Sequence, residues 1–393
     1  MASCLAPSPT IGQHCALPGS VAGGGFPLRL VARRWQDLGL PEQLARWDAL
    51  AADPAEPNPF LESWYLLPAL RAFDAAQAVQ VLCLESGSQL VGLFPVHRSK
   101  SYYGHRLPHW RGWTHDNAFL GSPLVARGFE AAFWHALLAW IEPRDGTALF
   151  LHLLGMVQDG PMHRALMLEL VDHRHPHATV LREDRAFLQS GLSPEDYLDQ
   201  SLSGKKRKEL RRQHRRLEEA GILATERADD ATGVGEWIEE FLALEHQGWK
   251  GAAGSALACD PRTAALFRHA LTGAAERGRL ERLAVRLDGR PLAMLATFLT
   301  PPGAFSFKTA FAEDFARYSP GVLLQRENLE LLQRPGIAWA DSCAAADHPM
   351  IDHFWRERRT ICAVNVGLGG VVRRQVFRAL AAWETRSRKE PGS

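Results

Sequence analysis

The sequence predicts an α/β fold made of two tandem copies of one unit, with mixed, mostly antiparallel sheets. The segments VLCLESGSQLVGLFPV (81–96) and LAVRLDGRPLAMLATF (283–298) match at a constant offset, and each is typical of strand, tight turn and strand. Gly87 and Gly289 occupy the same turn position in the two hairpins. Similar helices and strands flank both hairpins in the same order, which is the pattern of a duplicated α/β unit.

The flanking elements are predicted from hydrophobic periodicity. In the first copy they are a helix at 58–73, a helix at 128–141, a strand at 147–154 and a helix at 161–170. In the second copy they are a helix at 260–278, the helix that begins at Ser319, a strand at 336–343 and a helix at 348–358. The expected boundaries are a flexible tail at 1–27, a first domain at 28–185, a second domain at 186–385 and a flexible tail at 386–393.

The composition is that of an ordinary globular protein. Hydrophobic residues make up 46% of the 393 residues and charged residues 23%, so sizeable cores can form. The formal net charge is +1, which leaves only local patches to attract a polyanion. Six cysteines without a CxxC pair are typical of reduced residues in a cytosolic protein. The sequence predicts neither a transmembrane helix nor a signal peptide, so the expected location is the cytoplasm.

The two copies are expected to join through a linker near 173–202. Within it, Ser193 and Pro194 predict the start of a short helix with an acidic first turn. The three histidines of HRHPH, at 173, 175 and 177, favour a loop or a strand end over a metal site, and no metal is expected.

A strongly basic helix is predicted over KKRKELRRQHRRLEEAG (205–221). Leu210 and Leu217 share one side of this helix, and its lysines and arginines cover the rest. A charge block this dense, at 205–216, attracts polyanions such as cofactor phosphates, anionic lipid headgroups or RNA. The alternative is a solvated helix face that its own glutamates partly neutralise.

The segment FSFKTAFAEDFARYSPGVLLQRENLELLQ (305–333) predicts a strand, a charged loop and an amphipathic helix. Ser319 is the expected N-cap and Pro320 the first helical residue, while Gly321 lets a ligand approach the backbone closely. The unpaired N–H groups and partial positive charge of such a helix start suit a phosphate or pyrophosphate. The alternative is a capped core helix without a ligand.

Two further segments contain candidate site residues. Trp249 and Lys250 lie in EHQGWKGAAGSALACDP (245–261), whose small residues favour a mobile or ligand-contacting loop, unless Trp249 anchors it on the core. Asp341 ends a strand, where a carboxylate can act as a general base, orient an amine, or cap a turn. The chain lacks the Walker A, G-x-G-x-x-G and G-x-S-x-G motifs, which disfavours P-loop, dinucleotide-binding and hydrolase functions.

The chain resembles the GNAT-type N-acyltransferases, in particular the tandem FemAB-like group that includes the CelD/BcsL-type proteins. The resemblance covers roughly 28–385 and is carried by NPFLESWY (58–65), KKRKELRRQHRRLEEAG (205–221), EHQGWKG (245–251) and KTAFAEDFARYSPGVLL (308–324). It implies two tandem GNAT-like acyl-CoA N-acyltransferase domains and transfer of an acyl group from acyl-CoA to an amine. The usual Q/R-x-x-G-x-G/A pyrophosphate loop is not evident, and Ser319-Pro320-Gly321 stands in its place.

The resemblance also implies roles for individual residues. The residues expected at the acyl-CoA cosubstrate are Lys308, Ser319, Pro320 and Gly321. Those expected at the acceptor are Trp249, Lys250 and His348. The expected catalytic residues are Asp341 and Glu245, as base or amine-positioning groups, and Tyr318, as proton donor to the leaving thiolate. The first copy lacks the Ser-Pro-Gly helix start, so it is expected to be degenerate and to shape the acceptor side.

The implied acceptor is a lipid amine, such as a sphingoid base in a ceramide-synthase-like reaction, or an amino sugar in envelope biosynthesis. The basic helix at 205–216 fits peripheral contact with an anionic inner membrane, and no specific nucleic acid is expected. One alternative is a FemAB-like peptidoglycan transferase that uses aminoacyl-tRNA, although the candidate helical arm near 205–221 is short for that group. Another is a non-catalytic accessory protein of exopolysaccharide (cellulose) biosynthesis.

Overall fold

The computed structural model describes residues 15–16, 27–348 and 350–387. Its strands are β1 (Cys15–Ala16), β2 (Leu28–Arg34), β3 (Gln80–Ser86), β4 (Gln89–Ser99), β5 (His109–Gly112), β6 (Leu124–Val125), β7 (Phe150–Val157), β8 (His177–Leu188), β9 (Leu223–Ala228), β10 (Leu280–Leu287), β11 (Arg290–Thr300), β12 (Gly303–Phe311), β13 (Trp339–Asp341) and β14 (Glu357–Gly367). Its α-helices are α1 (Pro41–Ala52), α2 (Ser63–Phe73), α3 (Glu130–Ile141), α4 (Pro161–Asp172), α5 (Pro194–Ser201), α6 (Gly204–Ala220), α7 (Val234–Gln247), α8 (Trp249–Ala252), α9 (Pro261–Ala275), α10 (Pro320–Asn328) and α11 (Val371–Ser387).

All these strands belong to one sheet. Its order is β1-β2-β3-β4-β5-β7-β14-β8-β13-β12-β11-β10-β9, and β6 pairs with β4. The pairs β5–β7 and β12–β13 are parallel, and the other pairs in the described part of the chain are antiparallel. The predicted α/β fold with a mixed, mostly antiparallel sheet is therefore confirmed.

The duplicated hairpins occur where the sequence predicts them. β3 and β4 are joined through Gly87, with φ 57°, and β10 and β11 through Gly289, with φ 80°, so both glycines adopt the backbone conformation that disfavours other residues. The predicted helices before the hairpins, α2 and α9, pack against each other. Gly273 of α9 permits this close approach, because a Cβ there would lie 2.9 Å from the Cβ of Trp64.

The two copies exchange their last strands. β14, from the end of the second copy, lies between β7 and β8, while β8, from the end of the first, also pairs with β13 of the second. The prediction of a linker over 173–202 is therefore wrong for His177–Leu188, which forms a central strand. Exposed charges at 182–184 interrupt its apolar pattern. The domain boundary between residues 185 and 186 stays a prediction, and it falls inside β8.

The predicted helix at 348–358 is also wrong. Turns occupy 350–354, the N–H groups of Phe354 and Trp355 both donate to the Ile351 carbonyl at 2.9 Å, and β14 begins at Glu357. These three residues are buried at a helical spacing, which consecutive turns also satisfy. By contrast, the short helix predicted at Ser193 is present as α5, and the Ser193 hydroxyl accepts from Asp196 N at 3.1 Å.

The predicted terminal tails fall mostly outside the described residues, which omit 1–14, 17–26 and 388–393. Cys15 and Ala16 pair with β2, so this part of the N-terminal segment adds to the sheet. Of the described thiols, Cys83, Cys343 and Cys362 are buried and Cys259 is exposed, and all four are free. None of the helices in the described residues has the length and apolar character needed to cross a membrane.

Side chains from both copies form a shared aromatic core. Trp64 of α2 lies 4.8 Å, between ring centroids, from Phe298 of β11, and Phe298 stacks on Phe307 of β12 at 4.6 Å. Phe60, before α2, contacts Phe305 and Phe307 across the same junction. Because these rings are buried in one cluster, the first copy supports the position of β12, the strand that carries the candidate site.

Candidate functional site

A cleft opens where β12 and β13 separate. The two parallel strands pair over Gly303–Phe305 and Trp339–Asp341, after which β13 ends and β12 continues to Phe311. From Ser306 onward, that edge of β12 has no partner among the described strands. The space beyond the carboxyl ends of separating parallel strands is a common ligand site in α/β sheets, because backbone groups and the start of the following helix meet there.

The cleft contains a cavity of about 950 Å³. This volume lies near the upper end of the range of about 300–1,000 Å³ found for small-molecule sites. The cavity is bounded by β12, the start of α10, α6, α8 and the residues that follow β13. Its large apolar side chains are Phe119, Leu202, Leu210, Phe307, Phe311, Val322, Met350, Ile351 and Phe354.

Most of the residues that the sequence predicts for the site line this cavity. They are Lys308, Ser319, Pro320, Gly321, Trp249, Lys250 and His348. The three proposed catalytic residues, Asp341, Glu245 and Tyr318, do not line it. The structure thus brings together the predicted donor and acceptor residues and leaves the predicted acid–base groups outside.

The start of α10 faces the cavity, but Ser319 does not cap it with its side chain. Ser319 adopts a left-handed conformation (φ 53°, ψ 52°), and its hydroxyl accepts from Gln213 Nε2 of α6 at 3.2 Å. The capping prediction is wrong in this respect, because the hydroxyl joins α10 to α6 instead. Pro320 is the first helical residue, as predicted, and a Cβ on Gly321 would lie 3.0 Å from Met350 Sδ. Gly321 therefore permits a close approach, here of the turn that follows β13.

Lys308 is a half-buried cation that lines the cleft. Its Nζ lies 5.1 Å from the ring centroid of Phe119 and 5.7 Å from that of Phe307, so both aromatic faces support the charge. Burial and, to a smaller extent, the neighbouring charge of Lys250 lower the pKa of Lys308 to about 8. A perturbed cation that lines a cavity is a strong candidate for a functional group.

Lys250 is held in place by Glu245. Glu245 is buried, and it accepts from Lys250 Nζ at 2.7 Å through Oε1 and from Leu257 N at 2.8 Å through Oε2. Both oxygens of Glu245 are thus engaged away from the cavity, which argues against its predicted role as a base. Trp249 is 57% exposed, so it does not anchor the segment on the core. The predicted loop at 245–261 contains the short helix α8.

The carboxylate of Asp341 belongs to a buried ion-pair cluster. Its Oδ2 accepts from Arg185 Nη2 at 2.7 Å and from Arg359 Nη1 at 3.0 Å, and Oδ1 accepts from Cys343 N at 2.9 Å. Burial alone would raise the pKa of Asp341, but the two arginines outweigh it and hold the pKa below its usual value. This engagement, together with its absence from the cavity lining, argues against the role of general base for Asp341, which stays a prediction.

Of Tyr318 and His348, only His348 lines the cavity, although the sequence assigned the catalytic role to Tyr318. The ring of Tyr318 lies under the Arg317 guanidinium at 4.7 Å and does not face the cavity, so its predicted role as proton donor is not supported. His348 lines the cavity, and its buried Nδ1 has no hydrogen-bond partner among the described residues. An imidazole that lines a cavity can accept a proton from a bound amine, a role that the sequence pattern did not indicate.

The predicted basic helix is present as α6, and it forms one wall of the cavity. Leu210 and Leu217 are buried, as predicted, while Lys206, Glu209 and Gln213 line the cavity. Part of the basic charge is neutralised by ion pairs, such as Arg212 with Glu209 at 2.7 Å. The α6 cations that lack an ion pair in the described part of the chain are Lys205, Lys206, Lys208, Arg211 and Arg216. The sequence predicted the charge but not its position beside the cleft.

The histidines at 173, 175 and 177 do not converge. His177 begins β8, as expected for a strand end. His173 Nε2 instead lies 3.4 Å from Glu169, which His135 Nδ1 also contacts at 3.0 Å. These three residues offer metal-ligand atoms within 4.8 Å of one another, but they line neither the cavity described above nor the smaller one described below.

Comparisons with known proteins support the fold of the chain and a GNAT domain within it. Residues 204–349 match the family model described as an acetyltransferase (GNAT) domain. The fold is similar to FemX, with a TM-score of 0.54 and 10% identity over 86% of this chain and 98% of that chain. It is also similar to the C-terminal DUF2156 domain of a candidate lysylphosphatidylglycerol synthetase from Agrobacterium fabrum, with a TM-score of 0.51 and 14% identity over 87% and 95% of the two chains. No curated protein matches the sequence.

Residues 204–349 are thus similar to a GNAT acetyltransferase domain, and the chain as a whole has a fold similar to that of FemX. The fold implied by the resemblance of the sequence is thereby confirmed.

Proposed function

We propose that the protein transfers an acyl group from acyl-CoA to an amine in the cleft between β12 and β13. The observation that carries this proposal is the separation of these parallel strands after Phe305, which opens the cavity of about 950 Å³ beside Lys308 and the start of α10. GNAT domains generally use acyl-CoA, and the residues present fit such a cosubstrate. They supply a free strand edge, a helix start and a basic wall around one apolar space.

Each part of the cosubstrate has a suitable partner. The amides of the pantetheine arm can pair with the free backbone edge of β12 from Ser306 onward. The phosphates fit the start of α10 and the unpaired cations of α6, such as Lys206. The apolar walls, which include Phe311, Met350 and Phe354, suit an acyl chain longer than acetyl.

The chemistry requires a base, an oxyanion stabiliser and a route for the thiolate. The neutral amine attacks the thioester carbonyl, so that a C–N bond forms and the carbonyl oxygen becomes negative. Lys308 stabilises this oxygen, and the His348 imidazole, which lines the cavity, takes the proton from the attached nitrogen. The C–S bond then breaks, and the thiolate recovers that proton from His348 to give an amide and free CoA.

The direct test is consumption of acyl-CoA. Purified protein is incubated with acetyl-, octanoyl- and palmitoyl-CoA and a panel of amines, while free thiol and the acyl amide are measured by absorbance and mass spectrometry. We expect turnover to increase with chain length. Transfer of acetyl groups alone would contradict the proposed chain length, and failure to consume any thioester would contradict the proposed function.

Aminoacyl-tRNA is the second candidate donor, and the unpaired cations of α6 beside the cavity favour it. However, α6 has only 17 residues and packs on the core through Leu210 and Leu217, so it does not project as a long arm. Activity that depends on charged tRNA and is lost on RNase treatment would support this alternative. Normal cellular function of a folded Lys308→Met protein would instead support the accessory, non-catalytic role.

Reversal of one charge on α6 should weaken donor binding selectively. We expect Lys206→Glu to raise the KM for acyl-CoA by about tenfold, because Lys206 lines the cavity and attracts phosphates, while kcat changes little. The difference from the wild type should shrink at high salt. Steady-state kinetics at two ionic strengths test this. Lys100→Glu, an exposed change outside the cavity, is the matched control, and equal effects of both variants would contradict the prediction.

A further inference from the structure

A second, smaller cavity lies at the corresponding position of the first copy. The parallel strands β5 and β7 pair only at Trp110–Leu151 and Arg111–His152, and β7 then continues beyond the end of β5. The space that follows has a volume of about 450 Å³. We call it the acceptor chamber, and its polar and charged lining residues are Arg111, Thr114, His115, Asp116, Glu183 and Arg185.

Arg111 is the unusual member of this set. It is half-buried and lines the chamber, yet its side chain makes no hydrogen bond or ion pair within the described residues, and its Nε is enclosed. Arg185, the other arginine of the chamber, is by contrast paired with Asp341 at 2.7 Å. A guanidinium carries five donors and stays charged at any physiological pH. The two Nη groups of Arg111 are not enclosed and have no partner among the described residues, so they are available to a ligand in the chamber.

The neighbours of Arg111 do not supply the missing negative charge. His97 lies across from Arg111 on β4, and burial together with the charge of Arg111 lowers the pKa of His97 to about 4, so it is neutral. Burial also lowers the pKa of His115 to about 3. Asp116 and Glu183 line the chamber but are exposed, and neither is within ion-pair distance of Arg111. The side chain of Arg111 is therefore available to bind an anionic group of a ligand.

The chamber adjoins the donor cleft. Phe119, Cys343, Ala344 and Ala345 line both cavities. Phe119 also lies 5.1 Å, at its ring centroid, from Lys308 Nζ, the cation that lines the donor cleft. The two cavities therefore share a wall, and a ligand held at Arg111 lies beside the donor cleft.

We infer that the acceptor chamber binds an amine that also carries an acidic group, a carboxylate or a phosphate, and that Arg111 holds this group. The inference rests on the proposed function, because the amine is taken to react in the adjoining cleft. Bidentate contacts from Arg111 would fix the acidic end, while Asp116 and Glu183 favour the positively charged amine end. The acceptor is then a zwitterion, such as an amino acid or a phosphorylated amino alcohol, and not a simple long-chain base.

Matched pairs of amines test the inference through turnover. Each pair differs in the acidic group alone: phenylalanine with phenethylamine, and O-phosphoethanolamine with ethanolamine. With the acyl-CoA that gives the highest turnover, we expect kcat/KM to be at least about tenfold higher for the acidic member of one pair than for its partner. The pair that shows this preference tells whether the site takes a carboxylate or a phosphate. Arg111→Gln should abolish this preference, and Arg111→Lys should keep part of it. A preference that survives in Arg111→Gln, or an equal response to both members, would overturn the inference.

A binding measurement separates this inference from the proposed function. Calorimetric titration of O-phosphoethanolamine and of phenylalanine into the wild type should show binding of one of the two ligands. We expect Arg111→Gln to abolish this binding and Arg106→Gln, an exposed control, to retain it. Binding without thioester consumption would leave the anion site in place and contradict the proposed function; absence of binding by both ligands would overturn the inference. Arg111→Gln should also melt at the same temperature as the wild type or higher, since it removes a half-buried charge that has no partner within the described residues. A marked loss of stability would show that Arg111 is structural.

Discussion

Replacement of Lys308 by methionine should remove most of the activity and at the same time stabilise the protein. The activity falls because the cation is the group placed to stabilise the developing oxyanion, and loss of one such donor costs about 10²–10³ in kcat. The stability rises because burial lowers the pKa of Lys308 from 10.5 to about 8, which corresponds to a penalty of roughly 3 kcal/mol for the charged form in the fold. Steady-state kinetics and urea unfolding at pH 7 measure the two effects.

The same pKa fixes the pH dependence of both effects. Lys308 is charged below about pH 8, so the activity that depends on its charge should fall as the pH rises through about 8. The unfolded chain keeps its proton up to about pH 10.5, so it binds more protons than the folded protein between these values. The free energy of unfolding of the wild type should therefore rise with pH across this window. The stability advantage of Lys308→Met should be full below pH 8 and vanish near 10.5.

Lys100→Met is the control for Lys308→Met, because it removes an exposed lysine outside the cavity and should change neither property. Full activity together with reduced stability in Lys308→Met would show that the lysine supports packing and takes no part in catalysis. The expected combination, less active and more stable, is typical of functional groups that the fold holds in an unfavourable environment.

Local signals in the sequence predicted much of the architecture. The hairpins at 81–96 and 283–298 depend on alternation and a turn glycine, and α6 depends on the spacing of Leu210 and Leu217, so each could be predicted within one segment. The exchange of β8 and β14 could not, because it joins strands from different copies. The exposed charges at 182–184 also hide the apolar pattern of β8, so its segment looked like a linker.

In the candidate site, too, local features could be predicted from the sequence and contacts between distant segments could not. Lys308 and Ser319–Gly321 lie in one strand–helix segment, so local sequence places them together. Asp341 ends a strand as predicted, but its arginine partners come from β8 and β14, and only they reveal that its carboxylate is structural. Arg111 was missed because its significance lies in the partners that it lacks within the described residues. Sequence patterns indicate which groups are present, but not whether a distant residue neutralises them.

Replacement of Asp341 by asparagine should therefore destabilise the fold and should not act as a simple catalytic lesion. The change leaves Arg185 and Arg359 buried without a counter-charge, and removal of one partner from a buried ion-pair cluster costs about 3–5 kcal/mol. Urea unfolding at pH 7 measures this loss. Asp314→Asn is the matched control, since its pair with Arg290, at 2.8 Å, is about half exposed and should contribute about 1 kcal/mol or less.

The pH dependence of the Asp341 effect has the opposite sign to that of Lys308. The arginines hold the pKa of Asp341 below 3.8, so its stabilising contribution is complete above that pH and is lost as the pH falls through the folded value. The wild type and Asp341→Asn should thus approach each other in stability in acid. If Asp341→Asn instead had the same free energy of unfolding as the wild type at pH 7 but no turnover, that result would support the role of Asp341 as general base. Because Asp341 joins the exchanged strands β8, β13 and β14, we expect its loss to loosen the junction of the two copies first.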